Sequence, residues 1–130
     1  MTKEQIGKRK TKQRDAVLRV LDESEGPLSV EEIQELCLDY CKNVGIATVY
    51  RTMKILMEQD AVDKVTLADG VARYEFPDLP AHQYFLCYEC GAAHRIEVGK
   101  VSWSKTGYKR KGYKVEDHQL CLLGTCPHCK

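Results

Sequence analysis

The 130-residue sequence has no long hydrophobic run and little net charge. No apolar segment approaches the roughly 20 residues that cross a bilayer as a helix, so we expect no membrane span. The N-terminal stretch MTKEQIGKRKTKQR lacks the apolar core of a secretion signal, which predicts a cytoplasmic protein. With a formal net charge of +1, the whole chain also lacks the strongly basic character of many nucleic-acid-binding proteins.

Motifs that directly indicate catalysis are absent as well. The sequence contains no glycine-rich phosphate-binding loop, no HExxH signature, and no Ser/His/Asp or Cys/His nucleophile pairing set in a motif. We therefore expect a protein that is not an enzyme and has no small-molecule substrate. One enzymatic alternative stays open, a thiol-disulfide oxidoreductase that uses a Cys-x-x-Cys pair.

Cysteine, in contrast, is abundant, with seven residues. The cytosol keeps thiols reduced, so an odd count favours metal ligation or buried thiols over disulfides. Four of the cysteines form two Cys-x-x-Cys pairs, Cys87 with Cys90 and Cys126 with Cys129. Two such turns can complete a tetrahedral site, so we predict structural Zn²⁺ at these four residues. An iron–sulfur cluster takes the same ligands and is the alternative.

Hydrophobic periodicity divides the first half into three helices and a hairpin. Apolar residues recur at helical spacing between residues 11 and 21, and a capping box of Ser29 and Glu32 opens a second helix. An Asp69-Gly70 turn between two β-rich runs predicts a hairpin. This order is that of a winged helix-turn-helix, which favours DNA binding over an all-helical interaction module. The apolar stripe of the third helix consists of Ile46, Val49, Met53, Leu56 and Met57.

The side of the third helix opposite this stripe is small, cationic and hydrogen-bonding. Such a face suits the major groove of DNA, although a solvated helix face has the same composition. Basic side chains also outnumber acidic ones in residues 1–20, which indicates either phosphate contacts from an N-terminal arm or a solvated tail. The candidate DNA-contacting residues on the third helix are Ala47, Thr48, Tyr50, Arg51 and Lys54.

Aromatic and branched residues surround the cysteine pairs at strand spacing. The runs QYFLCYECGAAHRIEV and GYKVEDHQLCLLGTC predict strands, and GKVSWSKTGYKRKG between them predicts a helix. A small α/β domain of this kind has little core and leaves strand edges that a second subunit can cover, so we expect a homodimer. The predicted fold class is α+β: an N-terminal winged helix-turn-helix domain, then a small α/β dimerisation domain with a four-cysteine zinc site.

A series of ordered motifs resembles the ferric uptake regulator family of bacterial metal-responsive repressors. They are TKQR, LSVEEI, GIATVYRTMKIL, ARYEF, CYECG and DHQLCLLGTC with the terminal Cys-x-x-Cys, and they cover about residues 11–129. The resemblance implies a winged-helix domain at 1–76 and a dimerisation domain at 80–130, forming a homodimer on a palindromic double-stranded DNA operator. It also implies that Tyr50 and Arg51 contact DNA, that Lys12 and Arg14 lie near its backbone, and that the four paired cysteines hold zinc.

The resemblance further implies a regulatory ion between the two domains, and the residues for it are only partly present. Glu75 matches the acid at the end of the wing, and His82 matches the first histidine of an HxH motif. Tyr84 replaces the second histidine, and Arg95 stands where the family has an acid. Because a guanidinium repels a divalent cation, we do not expect an unmodified family site.

Other side chains can substitute for the missing ligands. Pro27 or Leu28 stands where an early histidine belongs, but His118 matches a family histidine that helps to bind metal. A mixed nitrogen and oxygen set suits Fe²⁺, Mn²⁺ or Zn²⁺. The alternative is a winged-helix regulator that has lost metal sensing or responds to a redox signal. The candidate regulatory set is Glu75, His82, His94 and His118.

Overall fold

The computed structural model describes residues 3–97, 111–116 and 118–129. Within these ranges the chain forms three α-helices followed by five β-strands, which confirms the α+β class and the winged-helix order. The helices are α1 Lys3–Glu23, α2 Val30–Cys37 and α3 Ile46–Glu58. The strands are β1 Asp63–Thr66, β2 Ala72–Glu75, β3 Gln83–Cys87, β4 Ala93–Ile96 and β5 Cys121–Gly124, and a 3-10 helix at Pro127–Cys129 ends the described chain.

The helices pack around one apolar core because each buries one side of its helical repeat. The predicted capping box forms at the start of α2, where the Ser29 hydroxyl accepts from the Glu32 N–H at 3.2 Å and the Glu32 carboxylate accepts from the Ser29 N–H at 3.1 Å. The apolar stripe predicted for α3 includes two residues that the structure does not bury. Ile46 and Met57 are 42% and 36% exposed at the two ends of the helix, where the neighbouring elements no longer cover it.

Helix α1 begins well before the predicted residue 11. The basic N-terminal segment therefore continues the first helix from Lys3 onwards and does not form a separate extended arm. Among the described residues, no helix combines the length and the hydropathy that a bilayer crossing requires.

The predicted hairpin forms the wing. Strands β1 and β2 pair antiparallel from Asp63 opposite Glu75 to Thr66 opposite Ala72. Gly70 has a φ of 77° at the turn, a conformation that glycine adopts without strain. Glu75 therefore lies at the end of the wing nearest to the following strand.

The second sheet has the strand order β4-β3-β5, with β3 antiparallel to β4 and parallel to β5. Its buried apolar cluster is small and includes Leu67 from the wing beside Leu86 and Ala93. The second half thus shares its core with the wing. The predicted run 112–126 contains one strand, β5, among its described residues. The helix predicted at 99–112 falls almost entirely outside the described residues, and the domain boundaries 1–76 and 80–130 stay a prediction.

The loop between α1 and α2 lies directly against β4. The Arg95 N–H donates to the Glu25 carbonyl at 2.9 Å, and Gly26 packs against the backbone of Ala93. A Cβ atom on Gly26 would lie 1.8 Å from the Ala93 carbonyl oxygen, far inside any van der Waals contact. Close approach of two backbones, and not a special φ angle, therefore requires glycine at this position.

We predict that Gly26→Ala lowers the free energy of unfolding by about 2 kcal/mol or more, because the loop must move off β4. Gly45→Ala is the matched control, since a Cβ there meets nothing within 4 Å, and its change should stay below about 1 kcal/mol. Urea denaturation of the zinc-loaded protein measures both. Equal stability of the two variants would contradict the packing seen here.

Candidate functional site

The sulfur atoms of Cys87, Cys90, Cys126 and Cys129 converge on one point. All four lie within 4.8 Å of one another, and Sγ of Cys90 is 3.9 Å from Sγ of Cys126. A tetrahedral zinc site with Zn–S bonds of about 2.3 Å has sulfur–sulfur edges of about 3.8 Å. The four thiolates therefore fit Zn²⁺ in both type and spacing. In the described part of the chain, no other group of three or more His, Cys, Asp or Glu side chains converges in this way.

Strand pairing brings the two cysteine pairs together. Strand β3 ends at Cys87, and a tight turn follows in which the Gly91 N–H donates to the Cys87 carbonyl at 3.0 Å. Because β5 runs parallel to β3 with Gly124 opposite Cys87, the chain emerges from β5 beside the first pair. Cys126 follows immediately, and the 3-10 helix carries Cys129 back to the same point.

Local hydrogen bonds shift the pKa values of these thiols in both directions. The backbone N–H groups of Cys90 and Cys126 donate to the sulfur of Cys87 and lower the pKa of its thiol to about 6, which favours the thiolate form. The pKa of Cys129 is raised to about 12, first by its hydrogen bond with Cys126 and then by burial, and the pKa of Cys90 is raised as well. A thiolate is the form that binds a metal, so Cys87 is the ligand that the protein itself favours in that form. All seven cysteines are free thiols.

Two of the four residues proposed for a regulatory ion, Glu75 and His82, are in contact with each other. The Glu75 carboxylate is 4% exposed and lies 2.9 Å from Nε2 of His82. The Tyr84 hydroxyl donates to the same carboxylate at 2.8 Å, and Nη1 of Arg95 lies 3.6 Å from it. Burial and this hydrogen bond raise the pKa of Tyr84, so its hydroxyl keeps the proton that it donates.

The other two histidines have different neighbours. The His94 ring packs edge-on against Phe85 at 6.3 Å, and Nε2 of His118 lies 3.3 Å from the side-chain nitrogen of Gln83. His82 and His94 both line a cavity of about 380 Å³, together with Glu25, Arg95 and Glu97 among others. The structure thus does not gather the four proposed regulatory ligands around one point. A second metal site stays a prediction.

The outer face of α3 is accessible, as its sequence indicates. Tyr50 is 53% exposed, and Ala47, Arg51 and Lys54 are exposed beside it. A groove of about 390 Å³ between α1 and α3 is lined by Arg14 and Arg51, among others. Both guanidinium groups contact neutral partners: Arg14 donates to the Gln59 side chain at 3.1 Å and Arg51 to the Thr48 hydroxyl at 3.3 Å. Lys12 is exposed on α1, and Thr48 is partly buried.

The sequence profile described as the Ferric uptake regulator family matches residues 5–123 of this chain. The chain belongs to the ferric uptake regulator family. Members of this family are transcriptional regulators and not enzymes, which confirms the expected lack of catalysis and removes the oxidoreductase alternative. The resemblance read from the motifs is confirmed as well.

Individual relatives match this regulator over most of its length. The ferric uptake regulation protein of Bacillus subtilis (strain 168) is 38% identical over 124 residues, covering 92% of this chain and 83% of the relative. The peroxide-responsive repressor PerR of Staphylococcus aureus (strain USA300) is 24% identical and covers 97% of this chain and 85% of the relative. A solved zinc-bound manganese uptake regulator has a TM-score of 0.75 at 25% identity, covering 88% of this chain and 87% of that one.

Within this family member, the sequence reading missed the role of one buried arginine of the wing. Arg73 is 2% exposed and forms a forked ion pair with the Asp69 carboxylate at 2.9 and 2.8 Å. It also donates to the Gly91 carbonyl at 3.1 Å, in the turn that carries the first cysteine pair. The ion pair lowers the pKa of Asp69. An arginine four residues after the turn aspartate is the signal that sequence reading could have used. Arg73 thereby ties the wing to the zinc site.

We predict that the wild-type regulator holds one zinc ion per subunit and that Cys90→Ser loses it, because one of the four thiolates is removed. The expected zinc content of the variant after dialysis against a chelator is below about half of the wild-type value. Cys41→Ser is the matched control, since this partly buried thiol near α2 lies outside the cluster and its loss should leave zinc in place. Elemental analysis measures all three proteins, and equal zinc in both variants would contradict the assignment.

Proposed function

We propose that this chain is a cytoplasmic, DNA-binding transcriptional repressor that acts as a homodimer on a palindromic operator. The observation that supports DNA binding best is the groove that Arg14 of α1 and Arg51 of α3 both line. The two guanidinium groups come from different helices, and both contact neutral partners. Each can therefore turn to a phosphate or a guanine without breaking an ion pair. Repression is supported by the name of the Staphylococcus aureus relative.

In this proposal α3 enters the major groove. Ala47 permits close approach of the helix, and Arg51 donates to guanine or to a phosphate. Tyr50, whose hydroxyl contacts the Glu31 side chain at 3.3 Å in the free protein, can contact a thymine methyl or a phosphate instead. Lys54 and Thr48 flank these residues, while Lys12 and Arg14 approach the DNA backbone from α1.

The exposed edge of the second sheet supports the homodimer. Strand β5 is an outer strand of the described sheet, and its consecutive residues Leu122 and Leu123 are both strongly exposed. Apolar side chains on an edge strand are a surface that a second copy of the chain can cover. A zinc ion at the four cysteines would fix the end of β3 to the segment after β5 and so hold this edge in place. The dimer then presents two α3 helices about 34 Å apart, one turn of DNA.

The signal in this proposal is a metal ion or a redox change. Oxidation of two zinc thiolates to a disulfide by a peroxide, which takes up the two electrons, would release the metal and loosen the strands that carry the dimer edge. A regulatory Fe²⁺, Mn²⁺ or Zn²⁺ at Glu75, His82, His94 and His118 is the metal-based form of the same idea. Its support is limited to the contact between Glu75 and His82 and to the metals in the names of related proteins.

We predict that Arg51→Ala weakens binding to the operator about tenfold or more, because a charged contact to DNA is lost, and reduces the salt dependence of binding by about one counterion. The probe is a duplex selected from a random-sequence pool with the zinc-loaded protein, and fluorescence anisotropy over a salt series gives both quantities. Lys114→Ala, which removes an exposed charge in the second half, is the control and should bind as the wild type does.

The selected duplexes also test the assembly. A homodimer with twofold symmetry predicts an inverted repeat in their sequences and a mass of two subunits per duplex by analytical ultracentrifugation. Duplexes without internal symmetry, or wild-type affinity in Arg51→Ala, would contradict the proposal.

A further inference from the structure

Arg95 contacts two separate elements of the first half of the chain. Its Nη2 donates to the Ser24 carbonyl at 2.6 Å, and its backbone N–H donates to the Glu25 carbonyl at 2.9 Å. Its Nη1 lies 3.6 Å from Oε1 of Glu75. Because Ser24 and Glu25 follow α1 directly while Glu75 ends β2, one residue of β4 contacts both the loop after the first helix and the wing.

The contacts of Glu75 with His82, Tyr84 and Arg95 form a junction between the wing and the second half of the chain. Because the Glu75 carboxylate is buried, it needs charged or hydrogen-bonding partners there. A buried carboxylate is costly unless it is paired and hydrogen-bonded. The Tyr84 hydroxyl supplies a hydrogen bond, His82 contributes a ring nitrogen, and Arg95 adds a fixed positive charge. Side chains of the second half therefore neutralise an acid that belongs to the wing.

The same arrangement does not fit a divalent ion. Both ring nitrogens of His82 have close neighbours, Nδ1 at 2.7 Å from the Pro80 carbonyl oxygen and Nε2 at the Glu75 carboxylate and 3.1 Å from the Tyr84 hydroxyl, and the residue that excludes a divalent ion here is Arg95. A guanidinium carries only donors and is always charged, so Arg95 can neither ligate a cation nor give way by losing a proton. A metal ion beside Glu75 would have to displace Arg95 and break its bond with Ser24.

We propose that Arg95 is a built-in cation that holds the wing and α1 in their DNA-binding arrangement without a second, regulatory metal ion. This inference rests on the proposed function. Of the two signals named there, it leaves oxidation of the zinc thiolates and drops the regulatory metal ion. Arg95 is a positioning residue, since it acts through Glu75 and Ser24 and makes none of the proposed DNA contacts.

The first test uses the wild-type full chain with zinc at the four cysteines. Its affinity for the selected duplex is measured in a mild chelator and again after addition of Mn²⁺, Fe²⁺ or Zn²⁺. We expect a change of less than about twofold with each ion, since the junction is already neutralised. Tightening of about tenfold or more with any of them would overturn the inference and leave the proposed function intact.

The second test replaces the cation at the junction with an acid. Arg95→Glu places a carboxylate beside Glu75, so DNA binding in the chelator should weaken by about tenfold or more. Mn²⁺ should then restore it, because two carboxylates form an oxygen site that this ion prefers. Lys114→Glu makes the same charge change on an exposed side chain and should show neither effect. Wild-type affinity of Arg95→Glu in the chelator would overturn the inference.

Arg95→Lys separates the charge from mere packing. It keeps a cation beside Glu75 but loses the hydrogen bond from Nη2 to the Ser24 carbonyl, so a loss of about threefold is expected. A loss as large as that of Arg95→Glu would contradict the role of the charge. If Arg95→Glu fails to fold by circular dichroism, the wild-type titration and the lysine variant still decide.

A readout without DNA keeps the two proposals distinguishable. If the zinc-loaded protein selects no duplex with or without added metal, the proposed function fails. Calorimetric titration of Mn²⁺ into the same protein then tests Arg95 alone. No heat of binding beyond that of the buffer is expected, and a second ion that the wild type binds and Glu75→Gln does not would overturn the inference.

Discussion

The convergence of four cysteine sulfurs holds together a part of the molecule that has little else to stabilise it. Only Leu67, Leu86 and Ala93 form its buried apolar cluster among the described residues, and the first of these belongs to the wing. A domain with so small a core does not usually stay folded without a metal or a disulfide. Structural zinc bound by thiolates contributes about 10 kcal/mol in comparable small domains. The strand pairings of the second half therefore depend on the metal site.

This dependence extends to the surface proposed for DNA. The turn of the first cysteine pair offers the Gly91 carbonyl to Arg73 of the wing, and β4 carries Arg95 to Glu75 and to the end of α1. The fold of β3 and β4 positions the Gly91 carbonyl that accepts from Arg73 in the first link and the Arg95 side chain in the second. Loss of zinc would release these strands and both links with them. The zinc site is thereby physically linked to the wing and to the loop after α1.

Much of the fold was predictable because its signals are local. A capping box, a two-residue turn and a helical stripe each act within a few residues, and the wing and the start of α2 form as predicted. The cysteine pairs were predictable for the same reason. The error at Ile46 and Met57 arose because periodicity identifies the apolar side of a helix but not where neighbouring elements stop covering it.

The junction was only partly predictable because its contacts are long-range. Sequence indicated that Arg95 would repel a cation, but its partner Ser24 is separated from it by 71 positions. The register between β3 and β4 decides which side chain of β4 lies beside Glu75. Arg95 pairs with Tyr84, next to Glu75, whereas His94 pairs with Phe85 and packs against that ring. A shift of one residue in this register would have exchanged the two, and the tight turn between β3 and β4 sets the register that the structure has.

X-ray absorption at the zinc edge of the purified full-length protein tests the central claim most directly. Four sulfur neighbours at about 2.3 Å, with no nitrogen or oxygen in the first coordination sphere, are the predicted result. A mixture of sulfur with nitrogen or oxygen neighbours at about 2.0–2.1 Å would contradict it, because the zinc would then lie partly or wholly outside the four cysteines.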